Sequence, residues 1–170
     1  MGALVIVAYF AVRADRGTHP GKSVTAPSAS PSAKRSDGPG KEPRAALPAD
    51  SGSGKRVVYS LRQRRVWLVA ADGSVSRSFE VWPGTVNPAE GAYAVSFRRE
   101  EAQGTDGVQV ENIVYFANRS GVSVAFSNAT DGASPRPSPG LDTGAIREHA
   151  ADGEALWNFA PSGTHVNVIR

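Results

Sequence analysis

Covalent or acid–base chemistry at neutral pH needs a nucleophile or titratable group beside a suitable partner. The 170 residues of this chain offer few such pairs. There is no cysteine, so thiolate catalysis, disulfides and thiolate metal sites are all excluded. The three histidines are His19, His149 and His165. None stands at metal-ligand spacing, and His149 with Asp152 at i, i+3 reads as a solvated pair, so neither a metal nor a cofactor is implied. Ser127 and Thr143 carry hydroxyls, but no G-x-S-x-G elbow or comparable motif surrounds either. The stretch that concentrates reactive potential is Thr143-Gly144-Ala145-Ile146-Arg147. Its guanidinium can hold a carboxylate through two parallel N–H···O bonds, or pair locally with Glu148 or Asp152 and pin the segment. Ala145, at its centre, offers only a methyl group, which can neither be deprotonated nor form an acyl intermediate. Trp67, Trp82 and Trp157 read as core or cleft-lining residues, and Trp82 before Pro83-Gly84 suits an exposed sugar-stacking platform. Asn118-Arg119-Ser120 and Asn128-Ala129-Thr130 fit the glycosylation sequon by chance spacing.

The elements that must position these residues occupy 55–170. Val75, Arg77, Phe79 and Val81 alternate with serines and Glu80, and Val122, Val124 and Phe126 alternate with Ser123, Ala125 and Ser127. That period of two marks half-buried strands. Arg56 to Leu61, Val66 to Ala70, Gly91 to Phe97, Val110 to Ala117 and Thr164 to Ile169 are further β-rich runs. Asp72-Gly73 is the stronger hairpin signal, read as a type I′ turn, and Ser120-Gly121 the weaker one. One short helix is expected near the C-terminus, capped by Asp152, favoured by Glu154 in its first turn, weakened by Gly153 and stopped by Pro161. These signals predict a mainly β fold, an antiparallel or mixed sandwich or barrel with one short helix, in a domain that buries roughly 65% of its unfolded surface.

The first 54 residues differ in kind. Gly2 to Val12 is an unbroken apolar run that, at about 1.5 Å per residue, covers roughly 16 Å, half of a bilayer core of about 30 Å. We read residues 1–16 as the distal part of a signal anchor or signal peptide whose start lies upstream; the alternative is a buried or frayed N-terminal strand. From 17 to 54, six prolines alternate with Gly, Ser and Ala without any aromatic residue. This composition cannot bury enough apolar surface to offset ordering, so a disordered linker is expected, with a mean reach of roughly 35 Å. Residues 1–54 carry seven basic and four acidic groups, leaving twelve of each for 55–170 out of 19 and 16. The excess positive charge belongs to the linker, where it suits anionic lipid or wall polymers, and the folded part carries no basic nucleic-acid footprint.

The C-terminal motif resembles the signature of the L,D-transpeptidase catalytic domain family. That signature reads S-x-G-C-I/V-R, a few residues, D, a short helix ending L-Y/F/W, then P-x-G-T-x-V-x-I/V. Here it is Thr143-Gly144-Ala145-Ile146-Arg147, Asp152, Leu156-Trp157 and Pro161-Ser162-Gly163-Thr164-His165-Val166-Asn167-Val168. The family's opening strand pair is matched by Val58 to Val69, and its T-P-x-G element loosely by Asn87-Pro88-Ala89-Glu90-Gly91. The resemblance implies an L,D-transpeptidase-like domain over 55–170 in which Ala145 holds the place of the cysteine nucleophile. Ser127 holds that of the histidine base, and Asn128 that of the glycine after it. Both catalytic positions having changed together implies a degenerate, inactive member. The alternative is a wall-modifying acyltransferase with a hydroxyl nucleophile. Arg147, Thr143, Gly144, Asn128 and Trp82 are then the candidate substrate contacts. The implied partners are peptidoglycan stem peptides or another cell-envelope protein, with the membrane held through the N-terminal segment. The implied location is the extracytoplasmic face of a bacterial, Gram-positive cell, anchored or secreted.

Overall fold

The computed structural model describes residues 45–133, 137 and 140–170; the apolar segment, His19 and the linker as far as residue 44 lie outside the described residues. Among the described residues, ten strands and one helix follow in the order β1 (Arg56–Ser60), β2 (Arg65–Val69), β3 (Val75–Glu80), β4 (Trp82–Pro83), β5 (Gly91–Ala94), β6 (Phe97–Gln103), β7 (Gln109–Arg119), β8 (Val122–Ala129), β9 (Gly144–Glu148), α1 (Ala150–Phe159) and β10 (His165–Ile169). They form two five-stranded sheets, β3-β2-β1-β10-β5 and β4-β9-β8-β7-β6. Both are mixed, because β1 runs parallel to β10 and β8 runs parallel to β9. The chain crosses between the sheets four times, from β3 to β4, β4 to β5, β5 to β6 (through Val95 and Ser96) and, by way of α1, from β9 to β10.

The core lies between the sheets. Val57, Tyr59, Val66, Leu68 and Phe79 from the first meet Val114, Phe116, Val124, Phe126 and Ile146 from the second, and Leu156 and Ala160 of α1 join the same cluster. Phe126 sits at its centre, stacked on Phe116 with ring centroids 4.8 Å apart and edge-on to Tyr59 at 5.8 Å. The Tyr59 hydroxyl is pushed up to about 12 by burial, against the opposing pull of Arg64.

Several local expectations change. The Asp72-Gly73 hairpin forms, but only Gly73 has positive φ (84°), so the turn is not type I′. Instead Ala70 N–H donates to Ser74 O at 2.8 Å and Gly73 N–H to Ala70 O at 3.0 Å, while the Asp72 carboxylate accepts from Ser74 N–H. The weaker signal, Ser120-Gly121, is the pair with two positive φ values (52° and 82°), joining Arg119 directly to Val122. The helix starts at Ala150, with His149 at its N-cap and no side-chain cap, so Asp152 lies inside it and pairs with Arg77 at 2.6 Å. Residues 144–148, outside the β-rich runs singled out by periodicity, form a strand. β6, Phe-Arg-Arg-Glu-Glu-Ala-Gln, has no apolar alternation and follows from pairing with β7.

Residues 45–54, read from composition as part of a linker, include positions that pack on the first sheet. Ala45 and Leu47 pack against Val58, Trp67 and Val69, and the Trp67 indole donates to Ala45 O at 2.9 Å. The Ser51 carbonyl accepts from Arg56 Nε and Asn167 Nδ2, both at 2.7 Å. Among the described residues no helix is long and apolar enough to cross a membrane.

Candidate functional site

The face of the second sheet turned away from the core carries a cleft of about 450 Å³. Its floor is β8 and β9, whose parallel register sets Ala125 against Ala145 and Ser127 against Arg147. Side chains two apart on a strand share a face, so these four project together, and Ser127 and Ala145 are diagonal neighbours on strands about 4.8 Å apart. All four line the cleft, as do Thr143 and Gly144. Gly144 is required by packing: a Cβ there would run into the Ser123 carbonyl of the adjacent strand. The structure therefore brings together the positions that the motif gives to nucleophile and base, 18 residues apart in the chain.

Arg147 dominates the polar end of the cleft. Its side chain is 1% exposed, as is that of Asp106, and Nη2 donates to both Asp106 oxygens at 2.8 and 2.9 Å. Nη1 donates to Ser127 Oγ at 2.7 Å. Neither Glu148 nor Asp152 is its partner, because both belong elsewhere: Asp152 binds Arg77 from α1, and Glu148, next along β9, projects from the opposite face. The fully buried Glu148 carboxyl is raised well above the usual carboxylate range, by burial first and by the nearby Asp152 charge second.

The arrangement leaves no nucleophile–base pair in the cleft among the described residues. Ser127 Oγ accepts from a guanidinium, which has no lone pair to take a proton. Thr143 Oγ accepts from the Ala145 N–H at 3.2 Å, and that contact engages the amide beside the motif's nucleophile position. His149 lies outside the lining, edge-on to Trp82 with centroids 4.8 Å apart. No group of three or more histidines and carboxylates gathers among the described residues in a way that could hold a metal.

Two candidate contacts lie away from the cleft. Asn128 is fully buried on the other face of β8, where Nδ2 donates to Glu111 at 2.9 Å and Oδ1 accepts from Asn112 at 3.0 Å. Trp82 pairs through its backbone with Arg147 from the edge strand β4 and is half-buried, not an open platform. Conversely, the cleft contains residues that the sequence reading did not single out. Phe97, 48% exposed, stacks on Tyr115 at 4.2 Å along one wall, and the β6–β7 hairpin lines the cleft with Gln103, Gly104 and Thr105 while its Asp106 reaches Arg147. Asp106-Gly107 carries the same hairpin signal as Asp72-Gly73, which could have located that turn. Nothing in β6 announces Phe97 as a wall.

No protein-family model and no curated protein matches the sequence. Solved structures do. A fused Zn-dependent amidase/peptidase/peptidoglycan-binding domain-containing protein from Clostridium acetobutylicum superposes with a TM-score of 0.52 at 17% identity, over 71% of this chain and 54% of that one. L,D-transpeptidase 1 of Mycobacterium tuberculosis gives 0.53 at 15% identity, over 70% of this chain and 63% of that one. An L,D-transpeptidase solved in complex with imipenem gives 0.51 at 16% identity, over 69% and 60%. The fold is that of L,D-transpeptidase catalytic domains, and the chain spans less than two thirds of the length of these structures.

Proposed function

We propose that this chain is an extracytoplasmic, membrane-tethered L,D-transpeptidase-like domain that binds or scaffolds peptidoglycan and does not catalyse acyl transfer. The observation that carries this reading is the Ala145 methyl in a cleft that is otherwise formed, with Ser127 beside it in place of a base. Acyl transfer needs an ionisable nucleophile next to a proton acceptor, and this floor supplies a methyl and a hydroxyl bound to a cation. Binding asks less. Stem peptides lie along Thr143, Gly144 and Arg147, against the Phe97 and Tyr115 rings. The named neighbours support a wall-related role, the apolar run Gly2 to Val12 supports tethering at a membrane, and the balanced charge of 55–170 argues against nucleic acid.

Sedimentation of the full chain with isolated peptidoglycan tests the reading: the protein pellets with the wall fraction and remains soluble without it. A chain that stays in the supernatant removes peptidoglycan and makes an envelope protein the better partner. The competing acyltransferase would use a hydroxyl of the cleft floor, Ser127 or Thr143, and turnover of wall peptides abolished by Ser127→Ala or Thr143→Ala would establish it.

A further inference from the structure

The carboxylate that Arg147 holds is the protein's own. Asp106 sits at the tip of the β6–β7 hairpin, in a turn closed by Gly104 N–H to Val108 O at 2.7 Å and Gly107 N–H to Gly104 O at 2.9 Å. Its neighbours Thr105 and Gly107 are exposed, as are Gln103 and Gln109 at the hairpin's base. Val108 packs at the foot of the turn on Val110, Ile113 and Ala125, and Asp106 is the polar side chain that fastens the tip to the domain. The loop passes close over Arg147 because residue 104 is glycine: a Cβ there would lie 2.5 Å from Asp106 Oδ1 and 2.8 Å from Arg147 Nη2. The seat is also incompletely used. Arg147 Nε, buried with the rest of the side chain, has no hydrogen-bond partner among the described residues, although an uncompensated buried donor is costly. A guanidinium fork can engage a carboxylate through Nε and Nη2 together, whereas Asp106 engages Nη2 alone.

We propose that Asp106 is a built-in occupant of a carboxylate seat on Arg147 and Ser127. The β6–β7 hairpin thus closes the polar end of the cleft until an external carboxylate displaces it. The contact is autoinhibitory: the ligand must supply a carboxylate that replaces that of Asp106 and also reaches Nε. As applied to wall peptides, this rests on the function proposed above; the seat itself does not.

Thermal unfolding of the full chain and of Asp106→Ala, in sodium acetate against sodium chloride at equal ionic strength, reads the seat directly. The variant gains a saturable rise in Tm of about 3–6 °C in acetate over chloride, and the unaltered protein shifts by less than about 1 °C. Equal acetate responses in both, or none in the variant, overturn the proposal. Should Asp106→Ala fail to fold in chloride, recovery of its native circular dichroism in acetate alone supports the seat, and recovery in neither salt contradicts it. Peptidoglycan sedimentation separates the two proposals. Severalfold greater wall binding by Asp106→Ala supports the autoinhibitory contact, whereas an acetate response without any gain in wall binding keeps the seat and removes wall peptides as its ligand.

Discussion

The two sheets have the same number of strands and each has an apolar outer face, yet the molecule treats those faces differently. On the first, Val58, Trp67 and Val69 are covered by Ala45 and Leu47, and Trp67 is fully buried. On the second, Val110, Ile113 and Ala125 are buried under Ala102, Val108 and Tyr115 of the β6–β7 hairpin, and the cleft opens beside them, where Phe97 is half-exposed. A segment from outside the sheet closes the first face, whereas the second is covered only by its own edge hairpin, next to a buried charge pair. The cleft side is thus set apart by this partial cover as well as by its motif.

The largest expected effect lies on the covered face. Trp67→Ala removes a fully buried ring together with its hydrogen bond to Ala45 and should cost about 3–5 kcal/mol in denaturant unfolding. A loss below about 1 kcal/mol would show that the N-terminal cover does not close this face in solution.

Glu148 tests the boundary between cleft and core. Burial raises its folded pKa above an unfolded value of about 4.3, so the folded state binds more protons across that window and stability falls as pH rises through it. Glu148→Gln should flatten the decline, leaving the variant relatively more stable at pH 7 than at pH 4. Parallel stability profiles from pH 4 to 8 would remove the carboxyl from the account.

The smallest stability effect belongs to the open face. Phe97→Ala should change unfolding free energy by less than about 1 kcal/mol, because half of the ring already faces solvent, while weakening peptidoglycan sedimentation. A large stability loss with unchanged sedimentation would make Phe97 a packing residue.

Much of this was legible in the sequence because period-two alternation survives wherever one face of a strand is buried, as in Val122 to Ser127. It failed at β6, whose run of charges reflects an edge strand, and at β9, whose five residues are too few for the alternation to stand out. The parallel pairing of β8 and β9 depends on residues far apart in the chain, and no local propensity encodes it. Arg147 stood out by its place in the motif, but its partner did not. Glu148 and Asp152 are near in sequence and face other ways, while Asp106 comes from a hairpin 41 residues upstream. The cover over Trp67 was hidden for a different reason: two apolar residues, Ala45 and Leu47, are diluted by the prolines and glycines around them.

The central claim is that the cleft persists while its nucleophile does not, and intact-protein mass spectrometry after incubation with imipenem tests it most directly. The full chain should keep its unmodified mass, because neither Ala145 nor the arginine-bound Ser127 can be acylated. Cleft geometry is checked alongside by Ala145→Cys with Ser127→His, in which a mass increase of one imipenem is expected. A stoichiometric adduct on the unaltered chain would contradict the account and identify an active hydroxyl nucleophile in the cleft.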